Sequence, residues 1–281
     1  MRKRISGIQI AFLMFAVMFL SVPLGNALLR DVGWPAESKE VLQRMLPFAA
    51  FALLLLSFPA IRRQASQLLS RPIARDRRLE IAVVATAMIL VPFATTGARV
   101  AWSWVAAGSA GISTLTINAD VELRQALAWS GMVKFLLLGV VVAPFLEELL
   151  CRGFLYRAFE RDWGWLPAMI ATSVLFGIYH PFFLNAFVGS IVFVCVLRRS
   201  GSLRACVYVH AFSNLMMWWP LMGQHLFPDP SRPLGELSTW SLHLACLAIA
   251  AVGLAIYVWM SRDRREVAAT VMLEPHVAVQ K

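Results

Sequence analysis

Long apolar stretches recur along this chain, separated by short polar connections, and they constrain its fold more than any other feature. The first follows Met1-Arg2-Lys3-Arg4 and runs on to Leu29. The others cover about 46–61, 80–98, 131–151, 164–180, 182–197, 205–222 and 239–260. A helix needs about 20 apolar residues to cross a bilayer. Within hydrocarbon every backbone N–H and C=O must also be paired inside the protein. The pattern predicts an all-α, polytopic transmembrane bundle of about eight membrane-spanning helices, with the first helix uncleaved because no A-x-A processing site follows it. Composition agrees, with 59% hydrophobic and 15% charged residues, where a soluble domain has roughly 45–50% and 25%.

The net charge of +10 raises the question of a nucleic-acid partner. The basic residues fall in clusters between apolar stretches, however, with no basic stripe interleaved with aromatics. The reading is no nucleic acid. Their distribution instead marks one side of a membrane. With both termini placed inside, 19 Lys and Arg residues fall on the cytoplasmic side and 6 on the other, leaving Lys134 within a span. The expected location is a bacterial inner (cell) membrane, multi-pass, with both termini cytoplasmic. The cysteines Cys151, Cys195, Cys206 and Cys246 lie in apolar stretches and form no CxxC pair, so they read as small hydrophobes.

Ionisable groups inside spans are costly and therefore suspected of function. Here they are few and grouped. The fourth span carries Glu147, Glu148 and Arg152, the fifth ends at His180, and the seventh carries His210 and Asn214. Glu148 and Arg152 are four apart, on one helical face, so they can pair. Glu147 points about 100° away from Glu148 and is left facing the interior, suited to a general base. Pro144 has no N–H for the carbonyl of Val140, which predicts a kink or a water there. His210 and Asn214 share a face and are of the type that donates hydrogen bonds to a developing oxyanion. His180 would hold an attacking water with Glu147. Each residue alone has a plainer reading, as an ion pair or as helix–helix glue; the joint occurrence on three helices favours a site.

Three ordered motifs carry a family resemblance. Glu147-Glu148-Leu149-Leu150-Cys151-Arg152 is similar to EExxxR, Phe176-Gly177-Ile178-Tyr179-His180 to FxxxH, and His210-Ala211-Phe212-Ser213-Asn214 to HxxxN. These resemble the CAAX-processing and bacteriocin-processing (CPBP, or Abi) intramembrane endopeptidases. The resemblance implies a glutamate-dependent peptide hydrolase in which Glu147 and His180 activate water and His210 and Asn214 stabilise the oxyanion. Glu148 and Arg152 would support them. It divides the chain into N-terminal helices and connections (1–130), a catalytic core (131–222), and a loop, last helix and tail (223–281). Partners would be the lipid bilayer and a peptide or protein substrate, such as a C-terminal sorting or lipidated segment. No cofactor is favoured; zinc on Glu147, His180 and His210 is the alternative, since members have also been described as metalloproteases.

Other classes compete. A catalytically silent immunity or scaffold protein would keep the fold, and a transporter would use Glu and His as proton relays, although no duplicated halves are visible. HExxH is absent. Gly108-Ser109-Ala110-Gly111 departs from the GxSG of rhomboids and reads as a loop, and a Cys206–His210 thiol pair would take His210 from Asn214.

Overall fold

The computed structural model describes residues 16–33 in part, 36–126, 133, 135–180, 182–226 and 237–262. Among the described residues it is a helical bundle without strands. The helices are α1 (Ala36–Ser57), α2 (Pro59–Ser70), α3 (Arg78–Ala87), α4 (Leu90–Ala126), α5 (135–163), α6 (Trp165–Tyr179), α7 (Phe183–Ser200), α8 (Leu203–Leu226) and α9 (Leu237–Met260). Among the described residues, three stretches are long and apolar enough to cross a bilayer: Arg75–Gly108, Phe183–Ser200 and Ser241–Met260. Met45–Leu54 and Trp165–Tyr179 are shorter apolar helices. The first expected span lies largely outside the described residues, as does most of the proline-rich connection before α9.

Local sequence explains where helices break. Phe58 is extended and Pro59 opens α2, where its missing N–H costs nothing. The stretch expected to cross at 46–61 is therefore divided between α1 and the amphipathic α2. Gly108 has φ 58° and ψ −141°, a backbone that β-carbon crowding makes unfavourable for other residues. It kinks α4, but helix resumes beyond it, so the expected loop at 108–111 is a single-residue break. Gly97 serves a different need. A β-carbon there would strike the backbone carbonyl of His243, so its absence lets α9 lie against α4.

α5 is continuous but irregular. Phe135–Val142 and Leu149–Leu155 are π-helical, flanking the α-helical turn Ala143–Glu148. The widened turn brings its own solution for Pro144. In π geometry an N–H reaches the carbonyl five residues back, which for Pro144 is Gly139, and proline has none to give. Asn214 Nδ2 donates to that carbonyl at 2.6 Å. A side chain from α8 thus fills the gap, where a water or a kink at Val140 was expected.

Two apolar clusters make the interior. One joins α3 and α4 through Ala85 and Val91 to α5, α6, α7 and α8; the other joins Phe51 of α1 and Leu68 of α2 to Leu149, Phe154, Phe176 and Leu203. α9 contributes little to either and is largely exposed, so it turns toward lipid. Its last carbonyls are held by two arginines at the end of α7. Arg198 donates to the carbonyls of Ser261 (2.8 Å) and Arg262 (3.2 Å), and Arg199 to that of Met260 (3.0 Å). Carboxylates balance both, Glu160 at 2.6 Å from Arg198 and Glu80 against Arg199. Orphan carbonyls at a helix end favour cationic partners of this kind.

Candidate active site

The intramembrane polar residues gather at the seam between the two apolar clusters. α5 supplies Glu147, Glu148 and Arg152, all buried, the last two completely. Arg152 Nη1 lies 3.1 Å from Glu148 Oε1. The spacing of four keeps them neighbours although the helix is π-wound beyond Glu148. Arg152 Nη2 donates to the hydroxyl of Ser190 (2.6 Å) and to its carbonyl (3.2 Å). Its guanidinium carbon sits 4.5 Å from the ring centre of Phe176 and 5.1 Å from that of Phe193. A buried arginine is tolerated only with such a complement of partners.

The two histidines arrive from opposite sides. α6 ends at Tyr179, and His180 is the extended residue just beyond it. Its Nδ1 is 2.7 Å from the carbonyl of Phe176. A carbonyl only accepts, so Nδ1 carries the proton and Nε2 is free to face Glu147 Oε2, 3.7 Å away. His210, buried on α8, places Nδ1 2.9 Å from Glu148 Oε1 and Nε2 3.9 Å from Glu147 Oε2. Phe193 stacks on its ring at 4.7 Å, and Phe176 packs on that of His180 at 4.3 Å. Glu147 Oε2 itself makes no hydrogen bond within the protein.

Glu147, Glu148, Arg152, His180 and His210 therefore form one connected group. Asn214 is joined instead to Gly139, although an amide nitrogen has a second N–H to offer. Glu148 has more to do than spacing suggested, because the oxygen that meets Arg152 also meets His210. Sequence reading missed Ser190 and Phe193. Both lie on α7, three residues apart, in a helix with no charged residue before Arg198, so nothing marked them. The role of Phe176 was visible only as a motif letter; its carbonyl fixes the tautomer of His180 and its ring covers Arg152.

The site can surround a small polar molecule. Separations of 3.7 and 3.9 Å are too long for direct hydrogen bonds, and contacts beyond about 3.5 Å are where a bridging water is to be sought. Zinc was the alternative occupant. The donor types suit it, but ligands about 2.0 Å from a tetrahedral zinc stand about 3.3 Å apart, closer than these atoms. Among the described residues no group of three or more His, Cys, Asp or Glu is arranged to hold a metal ion.

Comparison with known families agrees with the motifs. Residues 129–216 match the family model described as type II CAAX prenyl endopeptidase Rce1-like, and the match contains all seven motif residues. The matched stretch, under a third of the chain, is similar to the CAAX-protease (CPBP) family that the motifs resemble. No curated protein and no solved structure matched the chain.

Proposed function

We propose that the protein is an intramembrane endopeptidase of the glutamate-dependent type, acting on a membrane-associated or C-terminally processed peptide. The observation that supports this most is the convergence of Glu147 Oε2 with the Nε2 atoms of His180 and His210. With both Nδ1 atoms donating elsewhere, three acceptors face one another, and a water can offer protons to such a set. Glu147 takes a proton from that water as it attacks the scissile carbonyl, while His180 orients it. His210 takes a proton from solvent at Nε2 before the attack and directs that N–H toward the developing oxyanion, leaving Glu147 and His180 as the acceptors of the water's two protons, and Asn214 offers its second N–H. Buried side chains held by packing need little reorganisation as the charge develops. The test is a comparison of proteome-wide peptide C-termini between wild type and a Glu147→Ala strain. A set of C-termini present only in wild type is expected; identical sets would refute a protease.

No metal takes part in this reading. If zinc were bound, Glu147, His180 and His210 would hold it and it would supply a polarised water. We expect purified, active protein to carry well under one zinc per chain and to keep its activity under strong chelation, measured by elemental analysis and turnover together. Near-stoichiometric zinc whose removal abolishes activity and whose return restores it would establish the metal-dependent version.

The orientation follows the basic residues. Both termini are placed in the cytoplasm of a bacterial cell, with the active site opening within the inner membrane. Reporter fusions after Arg78, Arg199 and Lys281 should read cytoplasmic and one at Asp229 the far side. The same side for Asp229 and Arg199 would end this topology.

A further inference from the structure

Away from the catalytic group, a groove of about 480 Å³ opens between α2, the start of α8 and the middle of α5. Arg62 and Arg204 lie along it, with Ser66 and Ser70 between them and Phe145 and Leu149 as its apolar side. No carboxylate lines it, and neither arginine forms an ion pair among the described residues. Each is steadied by a backbone carbonyl, Arg62 Nη1 by that of Leu56 at 3.0 Å and Arg204 Nε by that of Leu69. Both guanidinium groups keep further N–H donors. From Phe145 an apolar line continues along α5 at four-residue intervals through Val141 to Leu137, and these three side chains are 40%, 62% and 57% exposed. Two free cations thus stand at one end of a strip of exposed hydrocarbon. That is the complement of an anionic head joined to a long apolar tail.

We infer that this groove binds an anionic phospholipid, its phosphate between Arg62 and Arg204 and one acyl chain along Phe145, Val141 and Leu137. Guanidinium groups recognise phosphate oxygens through paired N–H donors, and basic pockets at the edge of helical membrane proteins hold anionic headgroups. α2 suits the interface, since its apolar face buries Ala65 and Leu68 while Arg62, Arg63 and Ser66 stay exposed. Phe145 and Leu149 bracket Glu147 and Glu148 in sequence, so the lipid rests against the turn that carries the catalytic group. The inference does not depend on the proposed chemistry.

The test uses the full-length protein in detergent, titrated with phosphatidylglycerol or phosphatidylcholine of matched chains and read by native mass spectrometry. Wild type should retain one phosphatidylglycerol about 10- to 30-fold more tightly than phosphatidylcholine, as expected for two basic residues near the surface. An Arg62→Ala/Arg204→Ala variant should lose that preference, whereas Arg63→Ala, outside the groove, should keep it. Thermal unfolding in phosphatidylcholine alone checks that the double variant is folded. Should it fail to fold, the wild-type preference and the competition below still decide. Millimolar inorganic phosphate should leave the bound lipid in place, because it lacks the tail. Equal retention of the two lipids by wild type, an undiminished preference in a folded double variant, or displacement of the lipid by phosphate would overturn the inference.

Discussion

Glu147→Gln should reduce turnover by at least about 10²-fold while leaving the protein folded. The amide keeps the shape of the carboxylate but cannot take a proton from water. Folding should be spared because Glu147 Oε2 makes no hydrogen bond within the protein. The measurement is cleavage of a peptide found uncut in the Glu147→Ala strain, by purified protein of matched thermal stability. Glu148→Gln should show the opposite balance, losing stability first, since one oxygen of Glu148 meets both Arg152 and His210. Activity near wild type in Glu147→Gln, together with an essential Glu148, would reverse the assigned roles.

Arg152→Met should be the most destabilising single change in the core. The substitution keeps much of the side-chain volume but removes the cationic partner of Glu148, whose carboxylate has no exposed surface and is left with His210 alone. Removing one partner of a buried pair costs about 3–5 kcal/mol. Thermal or denaturant unfolding in detergent should register that loss. Adding Glu148→Gln should recover part of it by removing that buried charge. Ser190→Ala should cost less, about 1.5–3 kcal/mol for a hydrogen bond to a charged group, because the Ser190 carbonyl still accepts from Arg152. Wild-type stability in Arg152→Met would show that the contact contributes little.

Much of this site was legible because ionisable residues are so rare within apolar helices that their mere presence is informative. Glu148 and Arg152 could be paired from spacing alone. What escaped depends on how helices meet. Ser190 and Phe193 lie in the uncharged middle of a helix, where a small hydroxyl and an aromatic ring are ordinary residues until a guanidinium and an imidazole are set beside them. The π-wound turns of α5 leave no periodic trace, since every residue of Phe135–Val142 is apolar or glycine. Without that winding Val140 was the natural orphan carbonyl, and Asn214 had no visible claim on Gly139. The division at Phe58–Pro59 had a sequence signal in its proline, but the long apolar run around it outweighed that signal.

The arginines that close the end of α9 also impose an order on biogenesis. Arg198 and Arg199 leave the ribosome with α7, whereas the carbonyls of Met260, Ser261 and Arg262 that they hold arrive with the last described helix. Chains form native contacts from the N-terminal side as synthesis proceeds. Until α9 is inserted, two guanidinium groups beside the catalytic helices lack part of their complement. Insertion of α9 completes that complement: newly made chains that stall before it should remain open to quality-control proteolysis, even with every motif residue already in the membrane.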